Sequence, residues 1–115
     1  MSSPTPLPGR PVRGSTTGRP LMAALDLLGR RWALRLIWEL RGSPVGAREL
    51  RRRCDEMSSS VLYQRLGELT EAHIVAKNDD GAYGLTDQGR SLIGALMPLI
   101  EWADQWSGAP AEHGP

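Results

Sequence analysis

The side chains best placed to do chemistry in this sequence lie between Met57 and Leu69, in the run MSSSVLYQRLGEL. Serines open the run, and a serine oxygen caps a helix by accepting from its first free amides. Leu62, Leu66 and Leu69 recur at helical spacing and mark one buried stripe. At about 100° per residue, the opposite arc carries Ser59, Ser60, Tyr63, Gln64 and Gly67. These groups are short, uncharged and rich in donors and acceptors, where a solvated face ordinarily carries Lys and Glu. Such an arc offers recognition: it can lie against base edges in a DNA groove, and Gln64 can pair bidentately with adenine. The competing reading is a surface helix with a polar face. The neighbouring elements weigh on that choice.

Leu21 to Leu28 reads as a short helix, with Met22, Leu25 and Leu28 on one face and Leu27 beside it. Gly29 is its stop. A second apolar-periodic run goes from Trp32 to Leu40, with Leu34, Ile37, Trp38 and Leu40 inward, and ends at Gly42-Ser43-Pro44. Val45 to Cys54 reads as a third helix, with Ala47, Leu50 and Cys54 inward and Arg48, Arg51 and Arg52 outward. A break at Asp55-Glu56-Met57 leads into the serine-capped helix, which ends near Ala72. Helix, short turn, helix is the helix-turn-helix signature. Ile74 to Lys77 and Ala82 to Leu85 then form two short strands, and the Asp-Gly pair between them favours a tight hairpin. Thr86 caps a final long helix. The expected fold is mainly α with a small β-hairpin: a winged helix-turn-helix that dimerises through its terminal helices.

Length allows one domain, and only about ninety of the 115 residues read as packed. A core that small is marginal alone, and dimerisation is a way to bury more. Residues 1–20, with five prolines, three glycines and Arg10, Arg13 and Arg19, read as a disordered basic arm. Residues 21–106 read as the folded domain, and 107–115 as a disordered tail. No apolar run reaches the roughly twenty residues of a membrane span, and no signal-peptide core is visible, so a cytoplasmic protein is expected. Net charge is +1, but residues 1–85 hold thirteen basic and nine acidic side chains, against one and four in residues 86–115. The front of the molecule is thus the part that would meet a polyanion.

Cys54 is the single cysteine, so an internal disulfide is impossible; it reads as a small buried hydrophobe, with Arg51, Arg52 and Arg53 leaving a redox role open. His73 and His113 suggest no metal site, and no cofactor motif occurs. No paired carboxylates, Cys–His pair, Ser–His–Asp set or phosphate loop stands in a plausible context, so catalysis is not expected.

The last helix carries Leu92, Ile93, Leu96, Met97, Leu99, Ile100, Trp102, Ala103 and Trp106, too broad an apolar surface for one small core. Part of it is expected to face a second chain. Four tryptophans and no phenylalanine give two readings. Trp32, Trp38, Trp102 and Trp106 are either large apolar filling of a dimer core or the walls of a pocket for a small aromatic effector.

From Ala24 to Trp106 the chain resembles the HxlR-type winged-helix regulators, relatives of the MarR group. The resemblance rests on ALDLLGRRW from Ala24, on Glu49-Leu50-Arg51-Arg52, and on Met57-Ser58 followed by Val61-Leu62 and Gln64-Arg65-Leu66. It continues through Leu69-Thr70-Glu71-Ala72, Tyr83-Gly84-Leu85-Thr86, Gly89-Arg90-Ser91-Leu92 and Glu101-Trp102 to Trp106. It implies a homodimeric bacterial transcription factor whose first and last helices form the dimer interface and whose serine-led helix enters the major groove. Three departures stand out. Many members carry a sensing cysteine before the first helix, where this chain has Arg19-Pro20-Leu21-Met22. Gly67 replaces a usual Lys or Arg, and His73 replaces a helix-ending glycine.

The expected partner is double-stranded DNA, bound by a homodimer. Ser59, Ser60, Tyr63 and Gln64 would face bases; Arg48, Arg51, Arg52 and Arg65 would meet the backbone; Lys77 would reach it from the wing, against the opposing charge of Asp79 and Asp80. A two-fold dimer sets its reading helices about 34–36 Å apart and reads a palindrome, as a repressor would. The alternative is a winged-helix interaction or drug-sequestering module without DNA binding, for which Gly67 and the acidic wing argue.

Overall fold

The computed structural model describes residues 4–108. Within them lie five helices and one two-stranded sheet. α1 spans Pro20–Leu28 and opens on proline, whose fixed φ suits a first helical position. Ala23 and Leu27 take its inward side, while Leu21 and Leu25 are 69% and 56% exposed. Of the residues grouped on one face, Leu25 points out, and Met22 and Leu28 lie half-buried on the flanks. A helix apolar on both sides leaves the choice of side to tertiary packing.

α2 spans Ala33–Glu39 and starts one residue later than its periodicity suggests, because Trp32 is its N-cap, in the left-handed region at φ 75°. Leu36, Ile37, Trp38 and Leu40 are buried; Leu34 is half-buried. α3 is Ala47–Arg53. Val45, read as part of this helix, instead exchanges two backbone hydrogen bonds of 2.8 Å with Tyr83 and so extends the wing sheet. Leu50 and Cys54 are wholly buried. The turn after α3 places Asp55 and Glu56 at φ 57° and 56°, then drops Met57 back into the core.

α4 spans Ser59–Glu71, and the Ser58 hydroxyl oxygen accepts from the Val61 amide at 3.2 Å. Its C-terminal end closes with two bonds, Ile74 N–H to the Leu69 carbonyl at 2.9 Å and His73 N–H to the Thr70 carbonyl at 3.0 Å. That closure needs a left-handed residue, normally glycine; here His73 takes it at φ 61°. β1 (Val75–Lys77) and β2 (Tyr83–Leu85) pair antiparallel, Val75 opposite Leu85 and Lys77 opposite Tyr83. The hairpin is wider than the tight turn expected. The Asn78 side-chain oxygen accepts from the Asp80 and Ala82 amides, and Gly81 supplies a φ of 84°.

α5 spans Asp87–Ser107, with the Thr86 hydroxyl oxygen accepting from the Gly89 amide at 3.0 Å. A Cβ on the buried Gly89 would collide with the Ile74 carbonyl, so glycine lets α5 close onto the wing. The core gathers Leu36, Ile37, Leu50, Cys54, Leu62, Leu66, Leu69 and Val75. Leu92 and Ile93 pack against it from α5.

Residues 4–19, expected as a disordered arm, follow a defined course. Gly9 donates to the Gly18 carbonyl at 2.9 Å, Val12 and Ser15 bridge one another, and Pro6 is buried. Arg10 lies 3.6 Å from Glu71, and the Arg13 amide donates to Asp26 of α1 at 3.0 Å. The glycines that suggested disorder make its turns, with positive φ at Gly9, Gly14 and Gly18. Most of the expected tail, from residue 109 on, lies outside the described residues, as do residues 1–3. No helix among the described residues is long and apolar enough to cross a membrane.

Candidate nucleic-acid interface

Leu62, Leu66 and Leu69 seat α4 in the core, each about 1% exposed. Glu68 fixes its rotation. This carboxylate is 6% exposed and sits between two guanidiniums, bonded to Arg30 and, at 3.0 Å, to Arg65. Arg30 also donates to the Pro4 carbonyl at 2.8 Å, and Arg65 to the Arg31 carbonyl at 2.8 Å. Sequence reasoning missed this group. Its one local signal is the i,i+3 spacing of Arg65 and Glu68, which looks the same as a surface pair. The consequence for Arg65 is a correction: assigned to a phosphate, it is instead 15% exposed at the side chain and held inward.

With the apolar stripe inside, Ser59, Ser60, Tyr63, Gln64 and Gly67 all stand on the exposed arc of α4. Tyr63 is 55% exposed. Ser58 and Ser60 share a hydroxyl–hydroxyl hydrogen bond of 3.0 Å. A Cβ at Gly67 would meet nothing within 4 Å. The four residues assigned to base reading therefore share one open polar surface.

α3 lies beside it with a more guarded set of cations. Arg48 is exposed and has no partner among the described residues. Arg51 donates to the Met57 carbonyl at 2.6 Å and lies 3.6 Å from Glu56. Arg52 grips Glu49 with two bonds, at 2.6 and 2.7 Å, and Arg53 adds a third at 3.0 Å. Hydrogen bonds from Arg52 and Arg53 hold the Glu49 carboxyl down to about 2. The same contact raises the pKa of Arg52. A phosphate approaching Arg52 or Arg53 must share them with Glu49. On the wing, Lys77 is exposed with its ammonium 5.7 Å from the Tyr83 ring centre, beside exposed Asp79 and Asp80.

The four tryptophans form no single cluster: only Trp102 and Trp106 are in ring contact among the described residues. Trp38 is buried, with the Arg41 guanidinium 4.0 Å from its ring centre. Trp32 packs on the core's edge. Trp102 and Trp106 stack on each other at 5.5 Å on the exposed end of α5. Cys54 is wholly enclosed, and burial pushes its thiol up against the opposing pull of Arg35. That argues against the redox role left open for it. Among the described residues, no group of three or more His, Cys, Asp or Glu could hold a metal ion.

Two leading helices, a helix-turn-helix at α3–α4, a β-hairpin and a closing helix define a winged helix-turn-helix protein. The HxlR-like helix-turn-helix family model matches residues 27–110. The chain belongs to that family. It is 31% identical over 90 residues to the HTH-type transcriptional regulator YvaP of Bacillus subtilis, covering 72% of this chain and 82% of that protein. Over 99 residues it is 29% identical to the HTH-type transcriptional regulator YodB of the same organism, covering 81% and 88%. The crystal structure of quinone-bound YodB superposes with a TM-score of 0.70 at 33% identity, covering 75% of this chain and 97% of that one. A MarR-family regulator from Enterococcus faecalis also reaches 0.70, at 26% identity, covering 83% and 94%. Both Bacillus subtilis relatives are HTH-type transcriptional regulators.

Proposed function

We propose that this chain regulates transcription as a cytoplasmic homodimer that places two copies of α4 in successive major grooves of a palindromic operator. The observation that carries the reading is the exposed arc of Ser59, Ser60, Tyr63 and Gln64, uncharged and backed by a fully buried stripe. Such a surface suits base edges, and Gln64 suits adenine. Arg48 is the cation best placed for a phosphate, followed by Arg51 and Arg52; Lys77 contributes little beside two aspartates. Pairing of two copies is supported by the apolar side chains left exposed on the outer helices: Leu21 on α1, and Leu99, Trp102 and Trp106 on α5. Repression follows if the dimer covers a promoter, and a small aromatic effector releases it. YodB has been crystallised with a quinone. An effector here would not act through a cysteine, because the one cysteine is enclosed in the core.

A second reading, an interaction module without DNA binding, draws on the internal engagement of Arg51, Arg52, Arg53 and Arg65. Selection from random duplex oligonucleotides separates the two. The regulator reading expects a two-fold symmetric site with half-sites about one helical turn apart and an affinity that falls steeply with salt. Recovery of no enriched site, with no salt-dependent affinity at low ionic strength, would leave the interaction module.

A further inference from the structure

We propose that the cavity between residues 4–14, α1 and the flank of α4 is a binding site for a flat monoanion of the aromatic carboxylate class. The cavity measures about 670 Å³, inside the range of small-molecule sites. Val12, Met22 and Leu25 are apolar residues of its lining; Arg13, Asp26, Arg30, Gln64 and Arg65 are the polar ones. Two of the three guanidiniums are already committed, since Arg30 and Arg65 share Glu68. The third is not: the Arg13 amide bonds Asp26, but its guanidinium has no partner among the described residues. Three guanidiniums against the carboxylates of Asp26 and Glu68 leave one net positive charge around the space. One carboxylate fits that balance, and Arg13 can take it through two parallel hydrogen bonds. The ring of such a ligand would then lie along Met22 and Leu25.

Two placements give this cavity meaning beyond its shape. Part of its wall, from Pro4 to Gly14, comes from the segment that precedes α1. No tryptophan lines it, which separates it from the aromatic pocket considered above. Its lining includes Gln64, which also stands on the exposed arc of α4. A ligand that engages the Gln64 amide withdraws it from the bases. This coupling rests on the DNA-reading role proposed for α4; binding to the cavity does not.

The test titrates DNA-free protein with 2-naphthoate in a calorimeter, with neutral 2-naphthamide alongside. The expected result is saturable binding of naphthoate, at least tenfold weaker binding of the amide, and at least tenfold weaker naphthoate binding to Arg13→Ala. Arg13 is exposed and makes its bond through the backbone, so circular dichroism should show that variant folded like wild type. Absence of saturation at millimolar naphthoate, equal binding of the amide, or full binding by folded Arg13→Ala overturns the site. Operator affinity is then measured at saturating naphthoate. A tenfold or greater loss in wild type, absent in Gln64→Ala, supports the coupling, and an unchanged affinity overturns it. Failure to bind any operator would sink the DNA reading and leave the calorimetric result standing.

Discussion

α4 and α5 begin alike and end differently. Each is capped by a hydroxyl, Ser58 on Val61 and Thr86 on Gly89, and each carries an apolar stripe. In α4 the stripe is fully covered by the same chain, and Glu68 pins the helix through Arg30 and Arg65. What remains exposed is polar and uncharged. In α5 only Gly89 is buried; Leu92 and Ile93 reach the core, while Leu99, Trp102 and Trp106 stay exposed, Trp106 by 76%. One helix is completed by its own chain and offers hydrogen-bonding groups outward. The other offers apolar surface that a lone chain does not cover. A rigid polar face suits recognition, and an uncovered apolar face suits association, because apolar burial is the largest favourable contribution to most protein–protein contacts.

Substitutions can break this contrast. Leu99→Glu combined with Trp106→Glu should leave the protomer folded, since both side chains lie outside the core, yet abolish association. Sedimentation should then report a monomer, and operator affinity should fall about a thousandfold as the two reading helices lose their linkage. An intact dimer would remove α5 from the interface. Glu68→Gln should do the reverse: it removes the carboxylate that Arg30 and Arg65 share, costs about 3 kcal/mol in urea unfolding of the protomer, and leaves the exposed apolar face of α5 untouched. A loss under about 1 kcal/mol would show that Arg30 and Arg65 find water instead.

Smaller changes sharpen the same comparison. Gly67→Ala should raise stability in urea unfolding by about 1 kcal/mol, because a Cβ there meets open space and alanine prefers the helix. Glu49→Gln tests how far the α3 cations are held back. Its carboxyl titrates at about 2 in the folded chain, below the ordinary 4.5. A depressed carboxylate stabilises the fold above its unfolded pKa and loses that contribution as pH falls through the folded value. Any thermal advantage of wild type over Glu49→Gln should therefore be full at pH 6 and vanish near pH 2. At neutral pH the same variant frees Arg52 and Arg53, and the slope of DNA affinity against salt should steepen by up to about 2. An unchanged slope would place those arginines away from the backbone.

Much of this frame was legible in the residues, because its signals are local. Serine and threonine caps, the leucine spacing of α4 and the Asn-Asp-Asp-Gly turn each act within a few positions. The parts that were not legible depend on distant partners. Val45 looks helical until Tyr83 offers it a strand, and Trp32 looks like the first residue of α2 until its left-handed φ makes it the cap. Glu68 and Arg65 look like a surface pair until Arg30, 38 positions away, buries them. Residues 4–19 have the composition of a tail, yet their order comes from turns at glycine and from contacts with Asp26 and Glu71. On α1, apolar residues on both sides hid which leucine faces inward. The candidate base-reading set was readable because opposite faces of a helix follow from period alone; the engagement of its neighbouring arginines was not.

The account turns on whether the arc of α4 touches bases, and Gln64 tests that most directly. Wild type and Gln64→Ala should be titrated against the selected operator and against duplexes substituted at each position in turn. Wild type is predicted to lose about 1–3 kcal/mol at one base pair of each half-site, and Gln64→Ala to bind the cognate and substituted duplexes at that position equally. Identical discrimination by the two proteins at every position would contradict it.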